Sequence, residues 1–295
     1  MKTFKTMLLT LSIFLVTSSN LKVVGQESTA SKPKERVVAL KLPGMEDVII
    51  KRDIPYLNNS ISIRKMDIYY PPKFDFNKKI PAIVFISGAS DSSMVKLVSS
   101  PFRKYSQYTS WCKLVAASGM AAIVYETFDS KNDLISLTEY LISDQQNLSI
   151  ERNNIGAFVC SGHTPTAAAY LLNSSSIFNC AVLYYGFFLT QDGENLSTIE
   201  SMFKQMGFQK PPILPDPTNW KKDVPLLIVR AGQDNVPNLN QSMQSFLNHA
   251  IKYNMPITLF NYPNGPHGFE VYTNNETTIQ IIENTLEFWK VNLKE

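Results

Sequence analysis

The sequence predicts an α/β domain over residues 26–295, with a mostly parallel β-sheet, an antiparallel N-terminal start and helices on both faces. Continuous apolar runs of strand length alternate with segments of helical periodicity from residue 80 to residue 290. Strands that are apolar throughout are typical of a parallel sheet whose two faces are both covered. The runs before residue 79 follow one another across short turns without an intervening helix, which favours antiparallel pairing.

Strand and helix signals follow one another in a regular order. The first three predicted strands, separated by Pro43-Gly44 and by turn-forming residues 57–60, are residues 37–42, 48–54 and 61–70. The later predicted strands are residues 80–86, 121–125, 155–159, 180–185, 225–229 and 257–262. The predicted helices, where apolar side chains recur at helical spacing, are about residues 101–118, 134–142, 166–172, 241–253 and 278–290. This alternation predicts a single sheet built largely from strand and helix units.

Residues 187–224 interrupt this alternation. The segment is rich in proline, glycine and polar residues, including the run Leu214-Pro215-Asp216-Pro217. A connection of this length in a compact domain is usually functional or disordered. We therefore expect a short lid-like insertion, with a surface excursion of no functional role as the alternative.

The N-terminus has the order of charges and apolar residues of a secretory signal peptide. Two lysines precede the apolar run 7–16, and small polar residues follow it. The run is shorter than the roughly 20 residues that a helix needs to cross a bilayer. We expect residues 1–25 to be removed, with cleavage after Ser19 or Gly25, and the mature protein to be periplasmic or secreted without stable membrane insertion.

Composition excludes some classes of partner. The formal net charge is +3, and lysine and arginine are scattered without a basic stripe, so nucleic acid is not an expected partner. The three cysteines, Cys112, Cys160 and Cys180, each lie in or beside an apolar stretch, as buried free thiols do. One pair could form a disulfide in an exported protein. The oligomeric state is left open.

The predicted strand 155–159 leads to a candidate nucleophile. It continues into Cys160-Ser161-Gly162-His163 and then an alanine-rich helix. A serine at a sharp turn between strand and helix is held clear of the backbone, beside helix N–H groups that can stabilise an oxyanion. The alternative is that Ser161 only caps the helix, as serines often do.

Two further strand ends supply a candidate acid and base. Asp234 lies in Gly-Gln-Asp-Asn-Val-Pro after the strand near 225–229, and His267 lies in Asn-Gly-Pro-His-Gly-Phe after 257–262. An aspartate there can orient an imidazole, although it can equally be a turn residue. His267 is one of three histidines and lies in a loop suited to a general base. Reactive groups gather at the carboxyl ends of parallel strands, so we expect Ser161, Asp234 and His267 to meet.

The strand 80–86 ends in Ser87-Gly88-Ala89. With the N–H of Gly162, an N–H of Ala89 or Gly88 would form an oxyanion hole, and a plain glycine turn is the alternative. The aromatic run that includes Tyr185 follows another strand and is expected to line a substrate pocket, or to be ordinary packing.

These motifs resemble the dienelactone hydrolase and prolyl-oligopeptidase-like esterases of the α/β-hydrolase superfamily, over roughly residues 60–295. The matching features are the strand ending in Ser-Gly, the Ile-Gly pair that opens the elbow strand, and the motifs around Asp234 and His267. The resemblance implies an α/β-hydrolase fold and a Ser-His-Asp triad in the same chain order. It also implies esterase-type hydrolysis through an acyl-enzyme, no metal and no cofactor. The expected substrate is a small-molecule or carbohydrate ester.

The sequence departs from the family at the elbow, where Gly-x-Ser-x-Gly reads Val159-Cys160-Ser161-Gly162-His163. Dienelactone hydrolases use a cysteine, so Cys160 is an alternative nucleophile. The family's Ile-Gly pair stands six and five positions before the nucleophile, and this spacing fits Ser161 and misses Cys160 by one residue. Since strand side chains alternate between faces, that register favours Ser161. His163 is expected as a pocket residue, and a catalytically weak scaffold that binds a ligand is the further alternative.

Overall fold

The computed structural model describes residues 36–59, 62–92, 100–143, 147–193, 195–206 and 208–293. Within them one eight-stranded sheet has the order β1-β2-β4-β3-β5-β6-β7-β8. The pairs β1/β2 and β2/β4 are antiparallel and all others are parallel. The strands are β1 Ile49–Asn58, β2 Ile63–Tyr70, β3 Ile80–Ile86, β4 Ala121–Tyr125, β5 Ile150–Cys160, β6 Phe178–Tyr184, β7 Leu226–Ala231 and β8 Ile257–Tyr262. The expected α/β architecture with an antiparallel start is confirmed.

Helices connect the parallel strands. In chain order they are α1 Ser106–Ala117, α2 Ser130–Ile142, α3 Thr164–Leu171, α4 Leu196–Gln205, α5 Leu239–Lys252, α6 Phe269–Tyr272 and α7 Glu276–Asn292. Every residue of β4, and nearly every residue of β3 and β6, is buried. Because successive side chains of a strand point to opposite faces, this burial means that helices or loops cover both faces of the central sheet. β8, one of the two edge strands, has only one buried residue, as expected at a sheet edge.

Two predicted features differ from the structure. The segment 37–42 is not a strand, because its backbone bonds elsewhere: Val38 N–H donates to Ser110 Oγ, and Ala39 N–H donates to the Glu270 carbonyl. The insertion 187–224 contains the helix α4, which was not predicted because the sequence around it is rich in proline. This helix is amphipathic and buries Ile199 and Phe203.

The predicted signal peptide lies outside the described residues. In the part of the chain that the structure describes, no helix has the length and apolar character needed to span a bilayer. Cys112, Cys160 and Cys180 are all buried, and each is a free thiol.

Candidate active site

A strained turn presents Ser161 at the end of β5. Cys160 keeps extended backbone angles, whereas Ser161 has a φ of +56° and opens a short 3₁₀ turn that leads into α3. A residue with a side chain pays a conformational cost in this left-handed region, so the surrounding structure must hold it there. The turn therefore has the geometry of a nucleophile elbow.

The elbow is close-packed around Gly162. A Cβ atom at this position would lie 2.8 Å from the Gly88 carbonyl oxygen and 3.0 Å from the Phe208 ring, so only glycine fits without displacement. Val159, which stands where the family has glycine, is completely buried in the sheet and pairs with Ile86 on β3 and Leu183 on β6. The sheet thus accommodates this departure from the motif.

Asp234, His267 and Ser161 form one chain of contacts. His267 Nδ1 lies 2.6 Å from Asp234 Oδ2, and His267 Nε2 lies 3.0 Å from Ser161 Oγ. The Asp234 side chain is fully buried and its other oxygen accepts the Val236 N–H at 2.9 Å, while the His267 side chain is 12% exposed. A buried carboxylate at Nδ1 keeps the proton on that nitrogen and leaves Nε2 free to accept a proton from the serine. The structure thus brings together the three residues that the sequence singles out.

The loops that carry the acid and the base are fastened to each other. Gly232 N–H donates to the Tyr262 carbonyl and Gln233 N–H donates to the Gly265 carbonyl. A Cβ atom on Gly232 would lie 2.3 Å from the Pro263 carbonyl oxygen, so the close approach of the two loops requires glycine. This contact fixes the separation of the carboxylate and the imidazole.

The loop after β3 lies beside the nucleophile, and one of its two expected donors is already engaged. Gly88 N–H donates to Tyr108 Oη at 2.8 Å, so in this structure it is engaged and only Ala89 of the two expected donors is left. Gly162 lies in the first turn after the elbow, where N–H groups have no partner within the helix. Ala89 and Gly162 both line the pocket that holds Ser161. Of the three N–H groups expected for an oxyanion hole, these two are the ones left for that role.

Cys160 does not share the serine's geometry. Its Sγ lies 3.6 Å from Tyr108 Oη, and within the described structure it has no hydrogen bond to His267, whose ring nitrogens face Asp234 and Ser161. Burial raises the pKa of the Cys160 thiol to about 12, with the nearby charge of Glu270 acting in the same direction. A thiol of this kind is not a thiolate near neutral pH. Cys160 lines the pocket without the arrangement that a nucleophile needs.

His163 lies behind the elbow rather than in the pocket with Ser161. It is buried against a smaller neighbouring cavity that contains Ser130, Thr166 and Gln209. Burial lowers the pKa of His163 to about 4, so the ring is neutral near pH 7. His163 is not among the residues that line the pocket of Ser161, and its expected role in a substrate pocket stays a prediction.

The pocket in front of Ser161 contains about 720 Å³ of empty space, its open mouth included. Its walls are mainly apolar, and the residues that complete them are Phe102, Gln107, Tyr108, Tyr185, Phe187, Met206, Phe208, Val236, Gly268 and Tyr272. The insertion 187–224 supplies Phe187, Met206 and Phe208. Gln209 ties this insertion to the start of α2, because its side-chain oxygen accepts the Ser130 N–H at 3.1 Å. The expected role of Tyr185 as a pocket residue agrees with its position.

Several residues of this site gave no separate signal in the sequence. Tyr108 belongs to an aromatic stripe of helical spacing, and such a stripe normally indicates core packing. Glu270 follows the His-Gly-Phe motif and places an ionisable side chain in a short helix that was not expected. Its contacts are made by residues far away in sequence, such as Gln107 at a separation of 163 positions. Among the described residues, no group of three or more histidine, cysteine or acidic side chains could hold a metal ion.

Comparison with known proteins finds similarity in three dimensions only. No protein-family model matches the sequence, and no curated protein sequence is significantly similar to it. Esterase 2 of Thermogutta terrifontis with bound propionate superposes with a TM-score of 0.58 at 18% identity, over 86% of this chain and 98% of that protein. The same esterase has also been solved phosphoramylated by tabun and phosphonylated by sarin.

Two other solved structures have the same architecture. An inhibited esterase B from Lactobacillus rhamnosis superposes with a TM-score of 0.59 at 12% identity, over 83% of this chain and 87% of that one. A dipeptidyl aminopeptidase IV-like protein of Bacteroides ovatus gives 0.58 at 17% identity, over 83% of this chain and 36% of the larger protein. The chain therefore has the α/β-hydrolase fold.

Proposed function

We propose that the protein is a serine hydrolase that cleaves carboxylic esters through an acyl-enzyme. The observation that carries the proposal is the contact chain from Asp234 through His267 to Ser161, at 2.6 Å and 3.0 Å, with the serine on a strained elbow. A serine that merely capped α3 would need neither the left-handed backbone nor an imidazole within hydrogen-bond distance of its hydroxyl. The geometry thus supports an activated nucleophile.

In the first step, Ser161 Oγ attacks the acyl carbon of the ester while its proton moves to His267 Nε2. The buried carboxylate of Asp234 stabilises the imidazolium that forms. The N–H groups of Ala89 and Gly162 donate to the oxyanion of the tetrahedral intermediate. His267 then gives the proton to the alcohol oxygen, the ester bond breaks, and an acyl-Ser161 ester is left.

In the second step, water takes the place of the alcohol and releases the acyl group from Ser161. His267 takes a proton from a water molecule as the water oxygen attacks the acyl carbon of acyl-Ser161. The same two N–H groups hold the second oxyanion, and the proton returns to Ser161 Oγ as the carboxylic acid leaves.

The pocket supports small esters with an apolar acyl group as the substrate class. Phe102, Phe187, Met206 and Phe208 present apolar surface beside the nucleophile. The esterase of Thermogutta terrifontis, which shares the fold, has been solved with propionate and with butyrate. We infer a preference for short acyl chains, with the alcohol part directed to the open mouth of the pocket.

Two variants and a covalent probe test the proposal. The wild type is expected to hydrolyse p-nitrophenyl acetate and butyrate, and Ser161→Ala and His267→Ala are each expected to lower kcat by at least about 10³-fold. A fluorophosphonate probe should label the wild type at Ser161 and leave the alanine variant at that position unlabelled. Hydrolysis that persists unchanged in both variants would contradict the proposal. Iodoacetamide treatment of the wild type separates a serine enzyme from one that uses Cys160.

We also propose that the protein is exported. The support is the order of lysines, apolar run and small polar residues at the N-terminus. Cell fractionation of the full chain in a bacterial host, followed by N-terminal sequencing, tests it. A mature N-terminus directly after Ser19 or Gly25 is expected, and a cytoplasmic protein that keeps residues 1–25 contradicts it.

A further inference from the structure

A second buried carboxyl group lies beside the candidate triad. Glu270, on α6, is three residues beyond His267, and none of its surface is exposed. Its Oε1 accepts hydrogen bonds from Tyr185 Oη at 2.6 Å and from Gln107 Nε2 at 2.8 Å. Its Oε2 has no hydrogen-bond partner in the described structure. Three distant elements thus meet at one carboxyl group below the pocket.

The burial of this group is costly to the fold. Removing a carboxyl group from water without full hydrogen bonding is unfavourable, and burial raises the pKa of Glu270 in accordance with that cost. An apolar side chain at this position would fill the same space without the cost. Costly buried groups of this kind concentrate at functional sites.

Tyr185 links Glu270 to the imidazole. The tyrosine ring centre lies 4.4 Å from that of His267, the shortest separation between the imidazole and any aromatic ring in the described structure. Tyr185 follows β6 with a φ of +33°, an unfavourable backbone angle for a residue with a side chain. The short bond from its hydroxyl to Glu270 secures the ring in this place.

The imidazole must satisfy two short contacts at once. A tilt of the His267 ring would lengthen the contact to Asp234 or the contact to Ser161, and a small misplacement lowers the rate substantially. The face of an aromatic ring also attracts a cation, so a fixed Tyr185 favours the imidazolium that forms during the reaction. Both effects act during the chemical step and not in substrate binding.

We propose that Glu270 is a positioning residue of the hydrolytic reaction, which holds the Tyr185 ring against His267 and thereby keeps the imidazole aligned between Asp234 and Ser161. This inference rests on the proposed function, because it assigns Glu270 a part in the same reaction. Glu270 does not touch the substrate or the reacting atoms, since it lies outside the residues that line the pocket.

Two variants act on opposite ends of the same bond. Glu270→Gln keeps the size of the side chain and an oxygen that can accept the Tyr185 hydroxyl, but replaces the carboxyl group by a weaker amide acceptor. Tyr185→Phe keeps the ring and loses the hydroxyl. Each is expected to lower kcat for p-nitrophenyl acetate about tenfold and to change KM less than about twofold, as loss of one hydrogen bond to a charged group would. The double variant should be no slower than the slower single variant, because both changes act on the same interaction.

A matched control removes a buried tyrosine hydroxyl at the opposite edge of the sheet. Tyr70 Oη donates to the Leu148 carbonyl at 2.6 Å, close to the start of β5 and away from Ser161. Tyr70→Phe should lower the melting temperature and leave kcat unchanged. If Glu270→Gln does not fold, Tyr185→Phe alone decides, since it leaves the carboxyl group in place.

The measurements distinguish the failure of this inference from failure of the proposed function. Unchanged kcat in Glu270→Gln and Tyr185→Phe, or losses that multiply in the double variant, overturns the role of Glu270. Ser161→Ala is measured in the same series. If Ser161→Ala is inactive and the Glu270 variant is fully active, only this inference fails. If Ser161→Ala is fully active, the proposed function fails.

Discussion

Replacement of Asp234 by asparagine gives the most direct measure of the proposed triad. In the wild type, Asp234 Oδ1 accepts the Val236 N–H at 2.9 Å and Oδ2 faces His267 Nδ1 at 2.6 Å. Asparagine fits the same space, and its carbonyl oxygen is needed for the Val236 N–H. Its amide N–H then points at Nδ1, which must become an acceptor, so the ring proton moves to Nε2 and faces Ser161.

The magnitude of the loss follows from that tautomer. A protonated Nε2 can no longer accept the serine proton, and the imidazolium also loses the buried negative charge that stabilises it. We expect kcat/KM to fall about 10³- to 10⁴-fold, which corresponds to about 4–5.5 kcal/mol of transition-state stabilisation. The free energy of unfolding should change little, because the shape and the bond to Val236 are retained.

The assay is steady-state hydrolysis of p-nitrophenyl acetate by Asp234→Asn, with thermal unfolding measured on the same preparation. Asp192→Asn is the matched control, because Asp192 also contacts a histidine, His249 Nε2, at 2.8 Å but lies at the surface away from Ser161. The control should keep wild-type activity. A loss of less than about tenfold in folded Asp234→Asn would refute the role given to this carboxylate.

Four further changes test other parts of the structure. Tyr108→Phe removes the acceptor of the Gly88 N–H, so the loop that supplies an oxyanion donor loses a hydrogen bond that holds it. Steady-state kinetics should show kcat lowered about tenfold, and unchanged kcat would contradict this. Cys160→Ala should keep kcat within about threefold, and iodoacetamide should not inactivate the wild type, because burial raises the pKa of this thiol to about 12. Phe208→Ala widens the pocket and should raise kcat/KM for octanoate relative to acetate esters about tenfold; an unchanged ratio argues against a wall at this position. Burial raises the pKa of Asp91 to about 6, above its unfolded value, so ionisation of Asp91 lowers the free energy of unfolding as pH rises from about 4 to about 6, by at most about 3 kcal/mol. Urea unfolding measures the free energy of unfolding of the wild type and of Asp91→Asn over this pH range. The difference between the two free energies should change with pH, and a constant difference would contradict the assignment.

Much of the fold followed from local patterns. The predicted strands 80–86, 121–125 and 257–262 have the same bounds in the structure. Such a run is too short for a typical helix and is bounded by turn residues, so its length and its ends both favour a strand. The predicted strand 37–42 failed for the opposite reason. Its apolar run was suitable for a strand, but the N–H groups of Val38 and Ala39 found acceptors on α1 and α6 instead of on a neighbouring strand.

The sequence by itself also determined which residues meet at the site. In a parallel sheet all carboxyl ends lie on one edge, so a serine, an aspartate and a histidine that each follow a strand are brought together. Only local information was needed, because each residue is identified by the strand before it and by the turn that contains it.

Only the tertiary structure decided what each group does there. The φ of +56° at Ser161 turns the serine, and not Cys160, toward His267, and a one-residue difference of this kind depends on the packing of the elbow. The Tyr108 hydroxyl accepts the Gly88 N–H, and Glu270 accepts a hydrogen bond from Tyr185, which is 85 positions away in the chain. Contacts between such distant residues arise from the packing of whole elements, which no local pattern of apolar and polar residues records.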